Sequence, residues 1–233
     1  MQFHMNDVKK LTITLFIILF LVLFVVGCGD ESTSQSVPNA TDYEGIIVAV
    51  GNSLTEGLGV AEDFAYPAML EKKLRASGYR YRVINAGVSG ETSSGTLARI
   101  KWVLTLKPDI VILVIGANDG FRGIDPELIK TNILTIIRAL KEKKVTVVLG
   151  GMQMGQNLGK DYITAFEEIY PQVARQENVG FVPFFLTGVA ANPSLNQADG
   201  IHPAAEGYQV VVDHIFPYVI EAIEAHKTNS GLP

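Results

Sequence analysis

Apolar positions along the chain change period between unbroken β-branched runs and stretches with helical spacing. Ile46–Val50 and Ile110–Ile115 are unbroken, and Tyr81–Ile84, Val145–Leu149 and Val179–Phe184 are similar runs that carry Arg82, Thr146, and Gly180 with Pro183, respectively. Runs of this kind predict strands buried on both faces, and therefore a parallel sheet. Between them, Asp125-Pro126 supplies a cap and a first-turn proline, after which Ile129, Ile133, Ile136, Ile137 and Leu140 fall on one helical face. Ile163, Phe166, Ile169, Tyr170 and Val173 repeat that spacing, and Ala68–Ala76, Thr96–Leu106 and Ala204–Ala225 read as further helices, the last interrupted near Pro217. Strand and helix alternate five times, which implies a doubly wound α/β sandwich.

The first 27 residues stand outside this pattern. Lys9 and Lys10 precede an apolar run that ends Val25-Val26-Gly27-Cys28. From Leu11 to Gly27 the run would form roughly 25 Å of helix, short for a hydrocarbon core of about 30 Å. A basic start followed by an apolar run is the pattern of a secretory signal. The segment resembles a bacterial lipoprotein signal, in which a small residue precedes the cysteine that is lipidated; Cys28 takes that place. An uncleaved anchor helix is the other reading, and both put the remaining domain outside the cytoplasm. The expected organisation is a signal peptide over 1–27, a flexible tether over 28–43, an α/β domain over 44–227 and a tail over 228–233. Gly29–Asp42, rich in Ser, Thr, Gln and Asn, suits a tether.

Composition narrows the partners. With 19 basic against 24 acidic residues the net charge is −5, and no basic footprint for nucleic acid is evident. The single cysteine excludes an intramolecular disulfide framework and a cysteine-based zinc site. Hydrophobic residues make up 48% of the chain, too many for a disordered one.

In doubly wound sheets ligands bind outside the carboxyl ends of the strands, so the residues following each run are the informative ones. They are Gly51-Asn52-Ser53-Leu54-Thr55-Glu56-Gly57, Asn85-Ala86-Gly87-Val88-Ser89-Gly90-Glu91-Thr92, Gly116-Ala117-Asn118-Asp119-Gly120 and, beyond the fifth run, Asp199-Gly200-Ile201-His202-Pro203. Of the three histidines after residue 27, His214 and His226 fall in or at the end of the last helix and read as structural. His202 lies in a loop three residues after Asp199, a spacing that lets the carboxylate accept from Nδ1–H and leaves Nε2 as a base. No second histidine or cysteine cluster supports a metal, and no cofactor is called for. Ser53, beside the first strand, is read either as a turn serine or as a nucleophile opening a helical turn. Neither Gly-x-Ser-x-Gly nor a P-loop surrounds it. A Gly90 amide and an Asn118 side-chain amide could supply donors for a tetrahedral oxyanion.

Gly51-Asn52-Ser53-Leu54, Gly90, Gly116-x-Asn118-Asp119 and Asp199-x-x-His202, in that order over roughly residues 45–225, resemble the four blocks of the SGNH (GDSL) hydrolase family. Phe64-Ala65-Tyr66-Pro67, Asn85–Thr92 and Asn118–Gly123 are similar to the branch holding bacterial thioesterase I, lysophospholipase and arylesterase. The resemblance implies a flavodoxin-like three-layer sandwich with a five-stranded parallel sheet. It further implies Ser53 as nucleophile and oxyanion donor, Gly90 and Asn118 as the other donors, His202 as base and then acid, and Asp199 as its orienting carboxylate. The family usually has Asp before the serine, where this chain has Asn52; with Asp199 supplying the carboxylate, activity is expected to survive. The expected reaction is hydrolysis of carboxylic esters, lysophospholipids and aryl esters included, in preference to thioesters. Carbohydrate deacetylation and a non-catalytic binding module are the alternatives. Phe64, Tyr66, Phe121, Met152, Met154, Tyr162 and Phe185 are candidates either for an apolar acyl channel or for core packing, and Gly151–Gly159 for a segment that closes over substrate.

Overall fold

The computed structural model describes residues 43–155 and 158–231; the signal and lipidation site proposed for residues 1–28 lie outside the described residues. The strands are β1 (Gly45–Gly51), β2 (Tyr81–Gly87), β3 (Ile110–Val114), β4 (Thr146–Gly150) and β5 (Gly180–Val182). The helices are α1 (Ser53–Glu56), α2 (Tyr66–Ala76), α3 (Ser93–Thr105), α4 (Ala117–Phe121), α5 (Pro126–Glu142), α6 (Lys160–Glu177) and α7 (Ala205–Ser230). All strand pairs are parallel and the order is β2-β1-β3-β4-β5. Helices α2 and α7 pack together on one face, and α5 packs between α3 and α6 on the other. This is the expected three-layer sandwich. Its order reverses between β1 and β3, the switch point at which such sheets bind ligands.

Burial follows position in the sheet. Every residue of central β3 is buried. Edge strand β2 is not covered on both faces, since Arg82 and Asn85 are exposed. Strand β5 is half as long as its apolar run: Val179 N–H turns back to Ala174 O at the end of α6, and Pro183 has no N–H to continue the ladder.

Helix α7 departs most from expectation. It runs through Pro217 to Ser230, past the boundary expected at 227. Val211, Val212 and Ile215 before the proline, and Val219, Ala222 and Ile223 after it, are all buried. Apolar burial of about 25 cal/mol per Å² on both sides outweighs the roughly 3 kcal/mol a helical proline costs. Gly116–Gly120, the segment that follows β3, enters the short helix α4.

Candidate active site

Ser53 is the first residue of α1, directly after β1. Asn52 caps this helix, its Oδ1 accepting from Leu54 N–H at 3.1 Å. The cap takes Leu54 N–H and leaves that of Ser53, which has no intrahelical acceptor at the first position. The amide thus fulfils the capping role a carboxylate would fill. Close packing of α1 on the sheet requires a glycine at 51, where a Cβ would sit 2.2 Å from Thr55 Oγ1 and 2.5 Å from Val114 O.

The histidine arrives from the long connection after β5. Asn196 and Pro203 form an isolated bridge, Gln197 N–H donates to His202 O at 2.8 Å and Ala204 N–H to Leu195 O at 2.9 Å, so the loop is closed at its base. Gln197 Nε2 then donates to Leu58 O at 2.7 Å, which ties the loop to the segment following α1. Inside the loop, Asp199 Oδ1 accepts from Ile201 N–H at 2.9 Å and His202 N–H at 3.0 Å, while Oδ2 lies 2.6 Å from His202 Nδ1. His202 Nε2 lies 2.8 Å from Ser53 Oγ. Hydrogen bonds from the His202 side chain and then from the two backbone amides draw the Asp199 carboxyl down to about 2. The carboxylate is charged at neutral pH, so Nδ1 carries the shared proton and Nε2 presents a lone pair to the hydroxyl.

The residues expected to hold an oxyanion come from the ends of β2 and β3. Gly90 sits third in a turn closed by Glu91 N–H to Val88 O at 3.1 Å, with φ +76, the position where a type II turn demands a left-handed residue. Its carbonyl accepts from Arg122 Nη2 at 2.9 Å. Asn118 Nδ2 donates one proton to Glu91 O at 3.0 Å, and its second remains. Behind it, fully buried Asp119 accepts from Ser93 N–H at 2.8 Å and Ser93 Oγ at 2.6 Å, and Asn132 Nδ2 donates to that Oγ at 3.0 Å. This network joins α4 to α3 and α5.

Ser53, Asn118 and His202 open into a cavity of about 720 Å³ whose other walls are largely apolar. Of the acyl-channel or core candidates, Phe121, Met152 and Met154 line it, Met152 and Met154 while also packing on the core; Phe184, Leu186, Ala190 and Ile201 line it without having been singled out. Gly90 is not among the lining residues and meets the site through its neighbour Glu91. Tyr162 does not line the cavity: its hydroxyl donates to Ile124 O at 2.7 Å, which turns the ring onto Phe166. Tyr66 and Phe185 are core residues packed edge to face at 5.2 Å, and Phe64 is exposed away from the cavity. The parity of Phe184 and Phe185 could not be read from sequence, because the strand ends before them. Ile201 had a signal in its place beside His202. His214 Nε2 meets Phe184 O at 3.0 Å and buried His226 lies 3.6 Å from Asp109, so neither belongs to the site. Among the described residues no group of three or more His, Cys, Asp or Glu could hold a metal ion.

A hydroxyl, an imidazole and a carboxylate in line at the switch point of a parallel sheet make up the layout of a serine hydrolase on a doubly wound fold. The model of the GDSL-like lipase/acylhydrolase family matches residues 49–210. Esterase TesA of Pseudomonas aeruginosa is 39% identical over 172 residues, covering 73% of this chain and 86% of that protein. Thioesterase 1/protease 1/lysophospholipase L1 of Escherichia coli is 32% identical over 168 residues, covering 72% and 79%. The crystal structure of TesA superposes with a TM-score of 0.73 at 38% identity, over 76% of this chain and 99% of that one. The chain belongs to the GDSL (SGNH) lipase/acylhydrolase family and is an ester hydrolase.

Proposed function

We propose that this enzyme hydrolyses carboxylic esters with apolar acyl chains, lysophospholipids among them, through an acyl-enzyme on Ser53. His202 Nε2 takes the hydroxyl proton as Ser53 Oγ bonds to the ester carbonyl carbon, and Asp199 holds the imidazole in the required tautomer and faces the imidazolium that forms. The carbonyl oxygen becomes an oxyanion, which the Ser53 and Gly90 amides and the free proton of Asn118 Nδ2 stabilise. Collapse breaks the ester bond and His202 returns the proton to the departing alkoxide. Water then attacks the acyl-serine with His202 again as base, releasing the acid. The observation that carries this reading is the 2.8 Å contact between Ser53 Oγ and His202 Nε2 at the mouth of an apolar cavity. The same lining favours acyl chains over the sugars of a carbohydrate deacetylase, and the E. coli relative's name includes lysophospholipase.

Val25-Val26-Gly27-Cys28 supports an exported enzyme lipid-anchored through Cys28 to a cell membrane, with Gly29–Asp42 as its tether. Beside a membrane, lysophospholipids would be at hand whereas cytoplasmic acyl-CoA would not. Labelling with a fluorophosphonate tests the nucleophile: wild type should label and Ser53→Ala should not. Equal labelling of the variant refutes the assignment. Faster turnover of acetylated sugars than of longer aliphatic esters would refute the substrate class. Metabolic labelling with a lipid precursor that persists in Cys28→Ser would refute the anchor.

A further inference from the structure

A single guanidinium links the segments that carry the hydroxyl and the amide donors. Arg99, on α3, meets Glu91 with two parallel contacts of 2.6 Å, Nε to Oε1 and Nη2 to Oε2. Nη2 also donates to Ala86 O at 2.7 Å, near the end of β2, and lies 3.5 Å from Gly51 O at the end of β1. Thr96 Oγ1 donates to Glu91 Oε2 at 2.9 Å. The pair is largely buried, with side-chain exposures of 17% for Arg99 and 7% for Glu91.

Its contacts run to the segments that matter. Gly51 lies two residues before Ser53, and its carbonyl also accepts from Val88 N–H at 3.0 Å, the first residue of the turn carrying Gly90. Glu91 follows Gly90 directly, and its own carbonyl holds Asn118 Nδ2. A buried ion pair is weak evidence for stability, because apolar replacements of similar volume are often neutral or stabilising. Arg99 Nη1 is moreover buried without a partner among the described residues, which adds to the cost of keeping the charge there. What the pair provides that an apolar pair would not is a directional clamp with a bidentate geometry.

We infer that Glu91 and Arg99 form a positioning pair that sets the placement of Gly90 and Asn118 relative to Ser53. Neither touches substrate; both act through the donors. The inference rests on the proposed roles of Ser53, Gly90 and Asn118. Because those donors act on charge that develops only in the transition state, their displacement lowers kcat and leaves KM nearly unchanged. A misplacement of about 1 Å suffices for a hundredfold loss.

Steady-state hydrolysis of a p-nitrophenyl ester by the full chain, well below the melting temperature of each variant, tests this. Glu91→Gln and Arg99→Lys should each lower kcat about 10- to 100-fold with KM within about twofold of wild type. In an Asn118→Ala background, Glu91→Gln should cost no more than about threefold further, since part of what it positions is gone. A merely structural role would instead give the same factor in both backgrounds. Arg99→Ala should recover activity with added methylguanidinium. If Arg99→Ala does not fold, Thr96→Val, which removes one partner of Glu91 and keeps the charge pair, should still lower kcat several-fold. The inference is overturned by folded variants with kcat within twofold of wild type, by a loss expressed in KM alone, or by full additivity with Asn118→Ala. Wild-type activity in Ser53→Ala would instead overturn the proposed nucleophile.

Discussion

Asp199→Asn separates charge from shape at this site. The amide keeps an oxygen for the Ile201 and His202 N–H groups, 2.9 and 3.0 Å away in the native loop, so the turn should persist. On the other side an NH₂ now faces His202 Nδ1 across 2.6 Å, donor against donor. The ring relieves this by moving its proton to Nε2, where it points at Ser53 Oγ and cannot accept the hydroxyl proton. The imidazolium of the transition state also loses its counter-charge. Two unit charges about 4 Å apart interact by about 4 kcal/mol at an effective dielectric of 20. The Asp199 side chain is 43% exposed, which lowers the useful part of that interaction. A loss of about 2–4 kcal/mol in transition-state stabilisation corresponds to a kcat reduction of roughly 30- to 1000-fold.

The assay is kcat and KM for an aryl ester between pH 4 and 9, with a thermal melt at each pH. In wild type the carboxyl titrates at about 2, depressed chiefly by the His202 side chain. A depressed carboxylate adds stability that is full above its unfolded value of about 3.9 and is lost as pH falls through about 2. Asp199 therefore stays charged over the whole range, and any acid limb of activity within it belongs to another group. A kcat loss below fivefold, or one equal to that of Ser53→Ala, would refute the tautomer argument. So would a variant whose loss simply follows unfolding.

Asp119→Ala strands the buried N–H and Oγ–H of Ser93, at about 1–3 kcal/mol each; calorimetry should find the melting temperature lower by roughly 5–20 °C, at 2–4 °C per kcal/mol. Gly90→Ala has room for its Cβ, whose nearest neighbour would be Arg122 Nη2 at 3.9 Å, but φ is +76. Left-handed strain of about 1–2 kcal/mol should reorient the turn and lower kcat about tenfold with KM little changed; unchanged kcat would remove Gly90 from the oxyanion site. Ala190→Leu fills part of the cavity wall and should lower kcat/KM for long-chain esters about fourfold per excluded methylene, worth about 0.8 kcal/mol each, while short-chain esters are hydrolysed as before.

How far these expectations could be drawn before any fold was known differs from element to element. The parallel sheet was legible because Ile46–Val50 and Ile110–Ile115 admit no polar residue, a pattern only strands covered on both faces sustain. Ser53, Asn118, Asp199 and His202 drew notice because reactive types stood after strands or in a glycine-bounded loop. Taken singly, however, Ser53 read equally as a turn serine and Asp-x-x-His as a loop feature; it was the resemblance to the ordered blocks of the family that joined them into one site.

Other features depend on which surfaces meet, and no local pattern encodes that. Phe184, rather than Phe185, faces the cavity because β5 stops at Val182 and the chain turns before the pair. Helix α7 continues through Pro217 because buried residues on both sides hold it against the sheet. Arg99 reaches Glu91, Ala86 and Gly51 together because the register aligns Val50 with Ala86 and Gly51 with Gly87, bringing two strand ends under one guanidinium. Periodicity and residue chemistry are local properties and can be read along a chain; convergence of groups far apart in sequence follows from packing and register, and exists only once the sheet has assembled.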